Sequence, residues 1–103
     1  PGIRIQTENS TSSWFGFGIV LEDHLKGRRK EVIRVLTENG VETRPIVAGN
    51  FMKNPVIERL NWDSVGTFEA ADDLNDNGFF IGNDCVNLTD NINMVADIIR
   101  NIK

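Results

Sequence analysis

The chain has 103 residues, with 15 acidic against 11 basic side chains and a formal net charge of −4. This length holds one domain with one modest core, because a chain of this size buries only roughly 65% of the surface it exposes when unfolded. The negative balance excludes a protein that grips nucleic acid through its phosphates, no apolar run approaches the ~20 residues of a membrane span, and a single cysteine, Cys85, excludes an intrachain disulfide.

Residues 1–13 read as a linker or tail from a preceding domain. The chain begins at Pro1 without the basic-then-apolar pattern of a signal peptide, so a piece of a longer cytoplasmic protein is expected. QTENSTSS at 6–13 is small and polar. The domain itself is expected to run from 14 to 103. In WFGFGIVL, Phe15, Phe17, Ile19 and Leu21 alternate with Gly16, Gly18 and Val20, the period of a strand with one bulky, buried face. The glycine face would admit another backbone or a ligand closely.

From Lys26 to Asn39 the period becomes helical. Val32, Val35, Leu36 and Asn39 share a stripe, flanked by Ile33. Lys26, Arg28, Arg29 and Lys30 are interrupted by acids at Glu22 and Glu31 and read as a solvated helix face. Asn39-Gly40 is a helix stop. Val41 to Arg44 reads as a short strand limited by Pro45. The stretch from Val47 to Trp62 is irregular, with a turn at Gly49-Asn50 and a short helix after Asn54-Pro55. Another short helix is expected over 67–75, then a core strand at Phe79-Phe80-Ile81. A last helix starts near Thr89 or Asp90, either a good cap. Its buried stripe would be Ile92, Val95, Ala96, Ile99 and Ile102. The order predicts an α+β fold with a three-stranded antiparallel or mixed sheet covered by helices.

Several motifs have bland readings. Gly16-Phe17-Gly18 lacks the third glycine of a dinucleotide fingerprint and lies inside a strand. DLNDNGFFIGND at 73–84 matches the start of a calcium loop, but Ile81 and Asp84 stand where an oxygen ligand and a bidentate Glu are usual. His24 has no second ligand at metal spacing and reads as solvated, and no metal site is expected. Cys85 has no partner base and reads as a small buried hydrophobe. Arg44, at a strand end before Pro45, either holds a carboxylate or phosphate through its fork or pairs with Glu42.

Three segments carry a resemblance: SSWFGFGIVL at 12–21, NGVETRPIVAGNFMKNPV at 39–56 and NGFFIGN at 77–83. Together they resemble the C-terminal small domain of the sugar aminotransferase and dehydrase family of type I pyridoxal-phosphate enzymes. Within it, the pyridoxamine-dependent dehydrases of GDP-4-keto-6-deoxymannose look most alike. The resemblance covers about 12–103. It implies a parent about four times longer, a homodimer using pyridoxal or pyridoxamine phosphate. An N-terminal large domain would hold the cofactor, glutamate would donate the amino group, and a nucleotide-linked keto sugar of lipopolysaccharide O-antigen biosynthesis would be the substrate. It further implies that Arg44, Gly49, Asn50, Phe51 and Asn83 face the substrate, with Gly82 beside Asn83, and that Trp14 and Phe15 line the domain interface. No catalytic residue and no cofactor are expected in this chain alone, because its lysines lie on wet or irregular segments and no glycine-serine-rich helix start is present. The alternative is a free-standing module that binds a small anion with Arg44 and the Gly49-Asn50 loop, without catalysis.

Overall fold

The computed structural model describes all residues, Pro1–Lys103. Four antiparallel strands form one sheet: β1 (Ile3–Ile5), β2 (Gly16–Leu21), β3 (Thr43–Pro45) and β4 (Gly78–Gly82), in spatial order β1-β2-β4-β3. Three helices complete it: α1 (Arg29–Glu38), α2 (Glu69–Asn77) and α3 (Thr89–Arg100). The expected three strands are therefore four. Ile3–Ile5 had been read into the linker because three residues are too short to display a period, yet they pair from Ile3↔Leu21 to Ile5↔Ile19.

Strand parity divides the sheet into two faces. Phe17, Ile19 and Leu21 of β2 and Phe79 and Ile81 of β4 point to one side. There they join Leu25, Val32, Leu36, Val95, Ile99 and Ile102 in a single core. Val32 and Leu36 sit one turn apart on α1, and Val95 and Ile99 one turn apart on α3, so each helix buries one stripe. Ile92, expected in that stripe, is exposed. The other face carries Gly16, Gly18, Val20, Gly78 and Phe80, and α2 covers only part of it.

Local chemistry sets the element ends. Gly40, at φ 80°, and Val41 donate to the carbonyls of Thr37 and Leu36, which closes α1 with a left-handed C-terminal turn. The helix starts later than expected, because Asp23–Leu25 form a separate 3₁₀ turn and Gly27 takes φ 80°. The strand read over Val41–Arg44 is shifted to Thr43–Pro45, since Val41 is used in that helix stop. Thr89 and Asp90 are inside α3 rather than capping it. Asn87 does the capping chemistry, its Oδ1 accepting from Thr89 N at 3.0 Å. At the end of α2 the Arg29 guanidinium donates to the carbonyls of Asn75 and Gly78. No helix is long and apolar enough to cross a membrane.

Candidate functional site

On the second sheet face, uncovered apolar side chains lie beside recognisable polar groups. Gly18 pairs with Phe80, and Phe80 pairs with Arg44, so parity puts all three on this face. Phe15 precedes β2 and is 91% exposed, not buried with the bulky stripe as the alternation suggested. It lies on the Phe80 side, with ring centroids 6.0 Å apart. A groove of about 350 Å³ runs between Trp14, Phe15, Gly16, Ile46, Val47 and Phe80. A larger cleft of about 740 Å³ continues between Gly18, Val20 and Ile46 on one side and Ala70 and Leu74 of α2 on the other. Two salt bridges on Asp73 rim it: Arg4 at 3.0 Å and Lys26 at 3.5 Å.

Arg44 stands at the edge of this face, 68% exposed, with Nη2 donating to Glu42 Oε1 at 2.8 Å. The pairing with Glu42 is thus realised, and the remaining donors of its fork point to solvent or to whatever covers the face.

Gly49 and Asn50 do something different from Arg44. Gly49 has φ 56°, and a Cβ there would sit 2.8 Å from Asn75 Cα. Only glycine lets the loop lie this close to α2. Asn50 is 6% exposed. Its Nδ2 donates to Asp72 Oδ1 at 2.8 Å, its Oδ1 accepts from Met52 N at 2.9 Å, and its backbone N–H donates to Asn75 Oδ1 at 3.3 Å. Lys53 Nζ bridges Asp72 and Asp76, each at 3.1 Å. The bond from Asn50, then the ammonium of Lys53, hold the Asp72 carboxyl below the usual carboxylate range. Asp76 is lowered by Asn75 and then Lys53, and the two carboxylates raise Lys53 in return. Phe51, beside them, remains half exposed.

Just beyond the end of β4, Asn83 Nδ2 donates to the Trp14 carbonyl at 2.6 Å. Trp14 also lies against Phe17, with ring centroids 5.8 Å apart. Gly82 and Cys85 are exposed, which corrects the buried reading of the thiol: Cys85 follows β4 on the solvent side and packs into no core. Arg44, Asn50 and Asn83 make no hydrogen bond to one another. Each is bonded elsewhere, to Glu42, to Asp72 and to Trp14.

Asp73, Asn75 and Asn77 lie within α2, so they do not form a loop that could wrap a cation. No cluster of three metal-ligating side chains occurs. His24 is exposed in the 3₁₀ turn, with Nε2 3.4 Å from the Ile102 carbonyl. The chain's residues do not fit a pyridoxal phosphate either. Lys53 and Lys26 are held by carboxylates, and the starts of α1, α2 and α3 carry the bulky Arg28, Phe68 and Leu88 at the cap position. A phosphate cup needs free N–H groups at an approachable, small-residue helix start.

Sequence reasoning missed Asp72, Asn75 and Asp76 as partners of the Asn50 loop. Their spacing of three and four residues, which puts them on one helix side, was the available signal. It also missed Ile46, Val47 and Phe80 as groove walls. Period two alone would have turned Phe80 away from Phe79 and Ile81.

No protein-family model matches the chain. It is 37% identical over 101 residues to the GDP-4-keto-6-deoxy-D-mannose 3-dehydratase of Yersinia pseudotuberculosis, covering 97% of the chain and 26% of that protein. Identity to the enzyme of the same name from Escherichia coli O55:H7 is 34%, with the same coverage. The solved E. coli GDP-4-keto-6-deoxy-D-mannose-3-dehydratase with bound hydrated PLP is similar with a TM-score of 0.87 at 34% identity, over 95% of the chain and 25% of that structure. A structure of the dehydratase with a trapped PLP-glutamate geminal diamine gives 0.86, also at 34% identity, over 95% of the chain and 26% of that structure. The chain spans about a quarter of the length of these relatives.

Proposed function

We propose that this chain, similar over nearly its whole length to about a quarter of the length of the GDP-4-keto-6-deoxymannose 3-dehydratases, is the C-terminal small domain of a nucleotide-sugar dehydratase that uses pyridoxal or pyridoxamine phosphate. In this reading the remaining three quarters of the protein bind the cofactor and carry the catalytic base. A keto-deoxysugar linked to a nucleotide is the substrate, glutamate is the amino donor, and the working form is a homodimer in lipopolysaccharide biosynthesis. The match of 97% of the chain to only 26% of a relative carries the reading. Dehydratase is preferred over aminotransferase because similar proteins from three further sources, one of them at 26% identity, bear dehydratase or lipopolysaccharide-biosynthesis names.

The domain's own contribution is closure. The groove between Phe15, Val47 and Phe80 offers an apolar seat for the large domain, with Trp14 and Phe15 at its rim. Covering it removes water and strengthens every charge contact inside. Arg44 at the edge supplies a guanidinium for a carboxylate or phosphate. The cofactor, when bound, supplies the carbanion sink, and that chemistry lies outside this chain.

The test is a pair of assays. The full-length protein, given pyridoxal phosphate, glutamate and GDP-4-keto-6-deoxymannose, is expected to remove the sugar's 3-hydroxyl, read by mass spectrometry. The 103-residue chain alone is expected to turn over nothing and to leave the cofactor's absorbance unchanged. Turnover by the short chain, or an inert full-length protein, would overturn the reading.

A further inference from the structure

Residues 55–67 form an arm. All their hydrogen bonds are local, such as Ile57 N to the Asn54 carbonyl, and no ion pair joins them to the rest of the domain. Val56, Leu60, Trp62 and Val65 are exposed along it. The radius of gyration is 15.4 Å, against about 13 Å for a chain of this length folded without protrusions. Something must fix where so loosely joined a segment leaves the domain.

The Gly49–Lys53 loop stands immediately before the arm and, unlike the arm, is fastened to α2 by polar contacts. Asn50 spends its amide nitrogen on Asp72 and its amide oxygen on Met52 N, and it is buried. The second N–H and the second lone pair that its amide retains sit on a side chain only 6% exposed, which leaves a sugar or phosphate little access to them. We infer that Asn50 is a positioning residue: it clamps the loop onto α2 through Asp72 and so sets the pose of the arm, rather than contacting substrate. The inference rests on the closing-domain reading for its meaning in the enzyme. The clasp itself can be tested apart from that reading.

The test exchanges donor and acceptor. Asn50→Asp puts a carboxylate against the Asp72 carboxylate, which breaks the bond and adds repulsion. Asp72→Asn in the same molecule gives the new carboxylate an amide donor again. In the 103-residue chain the readout is the rate of tryptic cleavage after Lys53 and Arg59. Asn50→Asp is expected to speed it roughly tenfold, the loss of about one hydrogen bond, and the double variant to return within roughly twofold of the parent. In the full-length protein kcat/KM should fall and recover in parallel. A direct substrate contact by Asn50 predicts no recovery, because Asp72→Asn cannot restore a lost amide to the ligand. Unchanged cleavage in Asn50→Asp, or a double variant as loose as the single, would overturn the clasp. Should Asn50→Asp fail to fold, Gly49→Ala serves instead: its Cβ would push the loop off Asn75, and normal cleavage in that variant would equally refute the proposal. If the clasp behaves as expected and the full-length protein has no dehydratase activity, only the functional reading fails.

Discussion

The two faces of the sheet are built on opposite principles. On the first, Phe17, Ile19 and Leu21 of β2 and Phe79 and Ile81 of β4 join residues of α1 and α3 in one closed core. On the second, four of the strand positions are glycine, one helix covers part, and Phe15 and Val47 stand 91% and 90% exposed. A chain that can close one face this well does not leave the other open for want of apolar residues. Under the proposed function, the second face is shaped by the large domain that would sit on it. Its glycines divide accordingly. A Cβ at Gly16 would strike the Phe80 ring at 2.6 Å, and one at Gly78 would strike the Leu74 carbonyl at 2.5 Å, so these two serve the domain's own packing. At Gly18 the nearest atom is 4.0 Å away, and at Gly82 nothing lies within 4 Å. Those two leave room that the isolated domain does not use.

The sharpest way to break this comparison is to truncate one phenylalanine on each face. Phe79→Ala empties a fully buried site and is expected to cost about 3–5 kcal/mol, a large part of the ~5–15 kcal/mol a native domain possesses. Phe15→Ala should change stability by no more than ~0.5 kcal/mol, as for other surface positions. Urea unfolding of the two variants measures both. In the full-length protein the ranking of effects on activity is expected to favour Phe15 far more than its stability change would suggest. A Phe15→Ala variant that unfolds the short chain would show that the second face is internal core after all.

A smaller effect separates the glycines. Gly16→Ala and Gly78→Ala overpack and should destabilise by about 1–3 kcal/mol. Gly18→Ala should be neutral or stabilise by up to ~1 kcal/mol, because alanine loses less entropy in a strand than glycine. Thermal melts of the three variants decide it. Equal losses at all three positions would mean that the free space at Gly18 has no bearing on what the glycines are for.

How much of this was readable in advance follows the same division. The first face was legible, since period two over Phe17–Leu21 and period 3.6 over Val32–Leu36 and Val95–Ile99 each report burial on one side. The helix stop at Asn39-Gly40 and the strand at Phe79–Ile81 were legible for the same local reasons. Where the reading failed, the deciding contact was distant. Ile3–Ile5 became a strand because Leu21 and Ile19 lay ready to pair, which no three-residue pattern discloses. Cys85 read as buried from its chemistry alone, but its place after β4 exposes it. The family resemblance located the loop at Gly49-Asn50, yet the partners on α2, which give that loop its geometry, are 22 to 26 positions away from Asn50 and invisible to local pattern. For site residues the limit is therefore tertiary: Arg44 could be read as an anion holder or as a partner of Glu42 until its bond was seen.

Acid should distinguish the faces by a still smaller margin. Three carboxyls on the second-face helix α2 are held below their ordinary range: Asp72 by Asn50 first and then Lys53, Asp73 chiefly by Asn77, and Asp76 by Asn75 first and then Lys53. On α1 only Glu31 is lowered, by Arg28. A carboxyl whose folded value is depressed stabilises the fold above its unfolded value, and that contribution disappears as pH falls through the folded one. Stability is therefore expected to hold from neutral pH down to about 5 and to decline below about pH 4, where free carboxyls protonate. Because these groups are partly exposed and screened, the decline should be shallow, and shallower still in 1 M salt, where the screening length is about 3 Å. Three affected groups against one predict that the α2 amides lose hydrogen-exchange protection at a higher pH than those of α1 and α3. The triple variant Asp72→Asn, Asp73→Asn, Asp76→Asn should start less stable at neutral pH and lose less on acidification. Simultaneous loss of protection across all three helices, or an unchanged acid slope in the triple variant, would mean that α2 is fastened to the sheet by apolar packing and not by its carboxylates.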